Sequence, residues 1–73
     1  MIVLDANVLI AHLDEEDSHH ERASALLADV AADSLCASAL TVAEVLVGPA
    51  RSGHLDRAIT VLDQLGVATQ HLP

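Results

Sequence analysis

Three short runs of strand character, at residues 2–4, 35–38 and 67–72, are separated by stretches of helical periodicity, and this alternation most restricts the fold. An order of strand, helices, strand, helices, strand builds an α/β domain in which the strands lie parallel and are joined by right-handed crossovers. The first run, Ile2, Val3 and Leu4, stops at Asp5, the pattern of a buried parallel strand with a polar residue at its carboxyl end. Because the chain contains no Phe, Tyr or Trp, the core must be built from Leu, Val, Ile and Ala, and no aromatic ring is present to stack a nucleobase.

Between the first two runs the spacing predicts two helices. Val8, Leu9 and Leu13 mark one over residues 6–13, and the acidic run Asp14, Glu15, Glu16, Asp17 reads as a solvated loop without the alternating acids and central glycine of an EF-hand. Ser18 stands three residues before Glu21, the spacing of a capping box, and Ala23, Leu26, Leu27, Val30 and Ala31 follow on one helical face. After a turn at Asp33 and Ser34 and the second strand, Thr41 and Glu44 repeat the capping spacing and are expected to open a third helix. Gly48-Pro49 is expected to bend or break that helix, since proline lacks the amide donor and clashes with the preceding turn. Leu55, Ala58, Ile59, Leu62 and Leu65 share one face of a fourth helix, with Gly66 where a carboxyl-terminal cap belongs.

A chain of 73 residues makes one domain at most. At about 60 residues only about 60% of the unfolded surface is buried, so stability is expected to be marginal. Parallel sheets are covered by helices on both faces, yet the third strand is barely laid down when the sequence reaches Pro73, so residues 1–73 are expected to be the N-terminal portion of one larger domain. Cys36 has no second cysteine to pair with, which fits a reducing compartment and a small core residue. The start lacks a basic leader, and no apolar stretch nears the roughly 20 residues of a membrane span, so a cytoplasmic protein is expected.

Eleven acidic residues face three basic ones, Arg22, Arg51 and Arg57, for a net charge of −8, which argues against affinity driven by phosphate contacts. Nucleic acid here would need a bridging metal. In open parallel sheets ligands bind beyond the carboxyl ends of the strands, where Asp5 and the helix carrying Glu44 both belong. Mg²⁺ takes one or two protein carboxylates and keeps several waters, so Asp5 and Glu44 are candidate ligands, with Asn7 orienting the first. The spacing also allows a plainer reading, with Asp5 a strand-end turn residue and Glu44 half of a capping box. His12, His19, His20, His54 and His71 are scattered without zinc-ligand spacing and read as surface residues, His71 equally as a strand-end residue. Arg51, beside Gly48-Pro49, is a weaker candidate for a phosphate contact, or a surface ion pair.

The opening Ile2-Val3-Leu4-Asp5-Ala6-Asn7-Val8-Leu9-Ile10, the segment Leu40-Thr41-Val42-Ala43-Glu44-Val45-Leu46-Val47-Gly48 and the trailing Leu62-Asp63-Gln64-Leu65-Gly66-Val67 closely resemble a PIN domain of the VapC toxin type. The resemblance covers the whole chain in order. It implies a three-layer α/β/α fold with a parallel sheet, here truncated to about three strands and their helices. It further implies an Mg²⁺-dependent endoribonuclease, Mn²⁺ being an alternative cofactor, whose acidic cluster includes Asp5 and Glu44 as catalytic and metal-holding residues. Asn7 would support the cluster, Thr41 would line it at the helix start, and the later acidic residues would lie beyond Pro73. The partners it implies are an RNA substrate, a cognate VapB-type antitoxin and a second copy of the chain in a homodimer. Two alternatives stand beside it: an inactive remnant or antitoxin-binding interaction module, and a haloacid-dehalogenase-like phosphohydrolase fragment. The second rests on Asp5-Ala6-Asn7-Val8-Leu9, where Asn7 replaces the aspartate that would act as general acid.

Overall fold

The computed structural model describes residues 1–30 and 33–70. Along the chain run β1 (Ile2–Val3), α1 (Ala6–Leu13), α2 (His20–Asp29), β2 (Leu35–Ser38), α3 (Ala39–Ser52), α4 (Leu55–Leu65) and β3 (Val67–Gln70). The alternation of short strands and paired helices is the expected one. Ala31, His71 and Leu72, assigned above to a helix and a strand, lie outside the described residues.

The three strands form one parallel sheet in the order β1-β2-β3. Ile2 stands beside Leu35 and Leu35 beside Val67; one residue on, Val3, Cys36 and Ala68 make the next row. Since side chains alternate between faces along a strand, these two rows point to opposite sides of the sheet. Leu4, Leu35 and Ala37 enter one cluster with Leu9 of α1, Leu27 of α2, Val45 of α3 and Leu62 of α4. One cluster that draws on all four helices places them on the same face, as right-handed crossovers must when strand order follows chain order. On the other face Val3 is 68% exposed and Ala68 is exposed, with Cys36 buried between them. Gln70 Nε2 donates to Met1 Sδ at 3.3 Å, joining the two outer strands on that bare side.

Several boundaries differ from the expectation. Ser18 does not cap α2: His19 holds the cap position without a side-chain hydrogen bond. Two acidic turns precede the helix instead, Asp14 Oδ1 accepting from the Glu16 amide at 3.0 Å and Asp17 Oδ1 from the His19 amide at 2.8 Å. The approach to the helix is set by these acidic turns, in which short side chains bond their own backbone two residues on. Helix α3 begins two residues before Thr41, because Ser38, the last residue of β2, caps it. Gly48-Pro49 does not end α3 either. The helix runs on through Pro49 to Ser52 and stops at Gly53, whose φ of 79° is the left-handed conformation glycine adopts freely. Gly66, at φ 73°, ends α4 as expected.

Candidate active site

Asp5 and Ser38 follow or end adjacent parallel strands, and each caps the helix that starts there. The Leu4 amide donates to Cys36 O at 2.8 Å, which keeps the two strand ends level up to this edge. Asp5 is extended (φ −81°, ψ 146°), and its Oδ1 accepts from the Asn7 amide at 3.0 Å. Ser38 Oγ accepts from the Thr41 amide at 3.0 Å and donates to Thr41 Oγ1 at 2.9 Å. Two helix N-termini therefore open side by side, and the unpaired amides and aligned peptide dipoles there favour negative charge.

Thr41 is thus not the cap expected of it but a first-turn residue held by Ser38, and Glu44 sits in the second turn of α3 instead of closing a capping box. That removes the purely structural role weighed for Glu44 while leaving the one weighed for Asp5, which does cap α1. Both carboxylates are exposed, as is Asn7, and Thr41 is half-buried. α1 packs against α3, so the two carboxylate-bearing helices are direct neighbours. Ser38 was not singled out in the sequence. The signal was present in the Ser38-x-x-Thr41 spacing, but the adjoining Thr41-x-x-Glu44 matched the capping pattern more fully.

Oxygen donors of this kind suit a hard divalent cation, and Asp5 retains one carboxylate oxygen outside its capping bond. Among the described residues no cluster of three or more His, Cys, Asp or Glu is positioned to hold a metal. Asp5 therefore stands at the strand-end edge itself, while Glu44 lies in the second turn of the helix that starts there. Arg51 is exposed on α3, while the surface ion pair among the described residues joins Arg57 to Glu15 at 3.7 Å. No helix among the described residues is long and apolar enough to cross a membrane.

The family profile described as PIN domain matches residues 2–71. No curated protein and no solved structure matches the chain. The profile covers both motifs that carry the candidate residues, and it favours that reading over the haloacid-dehalogenase-like alternative.

Proposed function

Since the chain belongs to the PIN domain family, whose members are generally nucleases, we propose that it is the N-terminal portion of a metal-dependent endoribonuclease of the VapC toxin type. The observation that carries this reading is the shared edge at which Asp5 leaves β1 and the helix bearing Glu44 leaves β2. Asp5 and Glu44 would hold Mg²⁺ or Mn²⁺, which when bound lowers the pKa of a water and offsets charge building on the phosphate. Asn7, through its amide, fixes one oxygen of Asp5 and so the direction of the other. Ser38 and Thr41 hold the first turn of α3 rigid beneath Glu44. The two helix N-termini favour a phosphate at this edge, which helps a chain of net charge −8 tolerate RNA.

A cognate VapB-type antitoxin and a second copy of the chain are the protein partners in this reading. Its support is the apolar surface left open on the helices, with Ile10 on α1, Leu26 on α2, Val47 on α3 and Ile59 on α4 all exposed. The alternative of an inactive remnant or interaction module is favoured by the lack of a third metal-holding residue among the described residues.

The discriminating experiment is cleavage of a structured RNA. The 73-residue chain with Mg²⁺ is expected to cleave little or not at all, because two carboxylates position an ion and a water poorly. A chain extended by a segment carrying the later acidic residues is expected to cleave, and to stop when EDTA is added or when Asp5 is replaced by Asn. Cleavage without metal, or full activity in Asp5→Asn, overturns the mechanism; an inactive extended chain supports the interaction module.

A further inference from the structure

Away from that edge, α1 and α2 meet at their connecting loop through two imidazoles. The His12 and His20 rings stack, with centroids 6.1 Å apart and planes 11° from parallel. His20 Nδ1 lies 2.8 Å from Ala11 O. A carbonyl oxygen only accepts, so His20 carries its proton on Nδ1 and satisfies one of the carbonyls left open in the last turn of α1. His12 Nδ1 lies 2.8 Å from Ser24 Oγ on α2. Each ring is thus bound across the helix pair by one nitrogen and faces the other ring. Burial, and then the neighbouring His20, hold His12 below the usual histidine range.

Other charges surround the pair without engaging it. α2 carries Glu21, Arg22 and Asp29; α3, packed on α1, carries Glu44 and Arg51; the connecting loop carries Asp14, Glu15, Glu16, Asp17 and His19. Among the described residues none of these side chains hydrogen-bonds or ion-pairs with either ring.

We propose that His12 and His20 form an acid-sensitive latch between α1 and α2, closed while at most one ring is protonated and released when both are. Protonation of His20 alone leaves the latch closed, because its Nδ1–H bond to Ala11 O survives it. A second proton, on His12, sets two positive charges on facing, half-buried rings with no carboxylate between them. The helices then part along the groove of about 360 Å³ that they enclose, lined by Asn7, Ile10, Ala11, Arg22 and Leu26 among others. This inference does not depend on the nuclease reading, since it concerns the helix pair alone.

The test is an NMR titration of the full chain with ¹⁵N-labelled histidine, from pH 8 to 4.5. The expected result is a His20 proton on Nδ1 at pH 8, His12 titrating below the free value, and the backbone amides of residues 7–11 and 22–26 shifting in step with His12. His20→Gln keeps a donor for Ala11 O without a charge, so in that variant His12 should titrate at higher pH and the groove amides should lose most of their pH response. His12 titrating at the free value, or gaining its proton while the groove amides stay still, overturns the latch. So does a His20→Gln chain in which His12 titrates unchanged. Should that variant fail to fold, the coupling of the groove amides to the His12 titration in the unaltered chain decides the matter.

Discussion

Asp5 accepts a hydrogen bond from the Asn7 amide at 3.0 Å, so the residue proposed to hold a cation also holds the first turn of α1. The two duties separate by substitution. Asparagine caps a helix about as well as aspartate, so Asp5→Asn should unfold near the unaltered midpoint while losing metal-dependent cleavage in the extended chain. Asp5→Ala should lose both, with stability falling by about 1 kcal/mol. Urea unfolding of the two variants side by side checks this, and equal destabilisation would mean that the cap contributes nothing.

Ser38 and Thr41 allow a similar separation within α3. Ser38→Ala removes the acceptor for the Thr41 amide and should cost about 1 kcal/mol, whereas Thr41→Val keeps that bond and removes only the hydroxyl contact. Thermal unfolding should rank Ser38→Ala below Thr41→Val. The reverse order would restore Thr41 as the cap.

Gly48 is a helix-interior glycine, and a methyl group added there meets nothing within 4 Å beyond its two chain neighbours, of which Pro49 is one. Pro49 disfavours the helical conformation for a preceding residue that carries a Cβ, so Gly48→Ala should change stability by less than the roughly 0.5–1 kcal/mol gained at an ordinary helix-interior glycine. Gly66→Ala should lower it despite equal space, because φ there is 73°. The expected readout is a denaturant midpoint that falls for Gly66→Ala and barely moves for Gly48→Ala.

His12 makes folding stability depend on acidity. Its pKa is lowered in the folded chain, so the unfolded chain takes up the proton first as pH falls. The contribution is complete above the unfolded value of about 6.5 and is lost progressively below it, down to the folded pKa. His12→Asn, which can still reach the Ser24 hydroxyl, should flatten the fall in melting temperature between pH 7 and 5. An unchanged slope would assign the acid sensitivity to other groups.

With Val3 exposed on the bare side of the sheet and β1 at its edge, the isolated chain should associate or melt at a midpoint that rises with concentration. Sedimentation and circular dichroism over a hundredfold dilution test this. A sharp transition independent of concentration in a monomer would show that the four-helix face alone suffices.

What the sequence made legible were features fixed by a few adjacent residues. The run ending at Asp5, the β2 segment and the Gly66 terminus all lie where periodicity and local chemistry put them. The misreadings arose where two local signals overlapped: Ser38 and Thr41 each had a capping partner three residues on, and only the pairing of Ser38 with Gln70 across β2 and β3 shows that the strand ends there. At Pro49 a local rule was overridden, since a missing amide so near the end of α3 forfeits one bond in a helix otherwise anchored by Val45 in the core. The His12–His20 contact was invisible because it depends on how the loop returns α2 onto α1, which no spacing rule encodes. For the candidate site, the sequence pointed to the residue types and the strand-end edge, while the paired helix caps required the register between β1 and β2.

Strand order that follows chain order also bears on synthesis. Each pairing closes over a single helical hairpin, so β1 and β2 with α1 and α2 between them can assemble once Ser38 has cleared the ribosome, before α3 has emerged. β3 then joins the free side of β2 and displaces nothing already in place. Among the described strands none made early must wait for a late one in order to enter the sheet, which shortens the time their apolar edges are exposed to other chains.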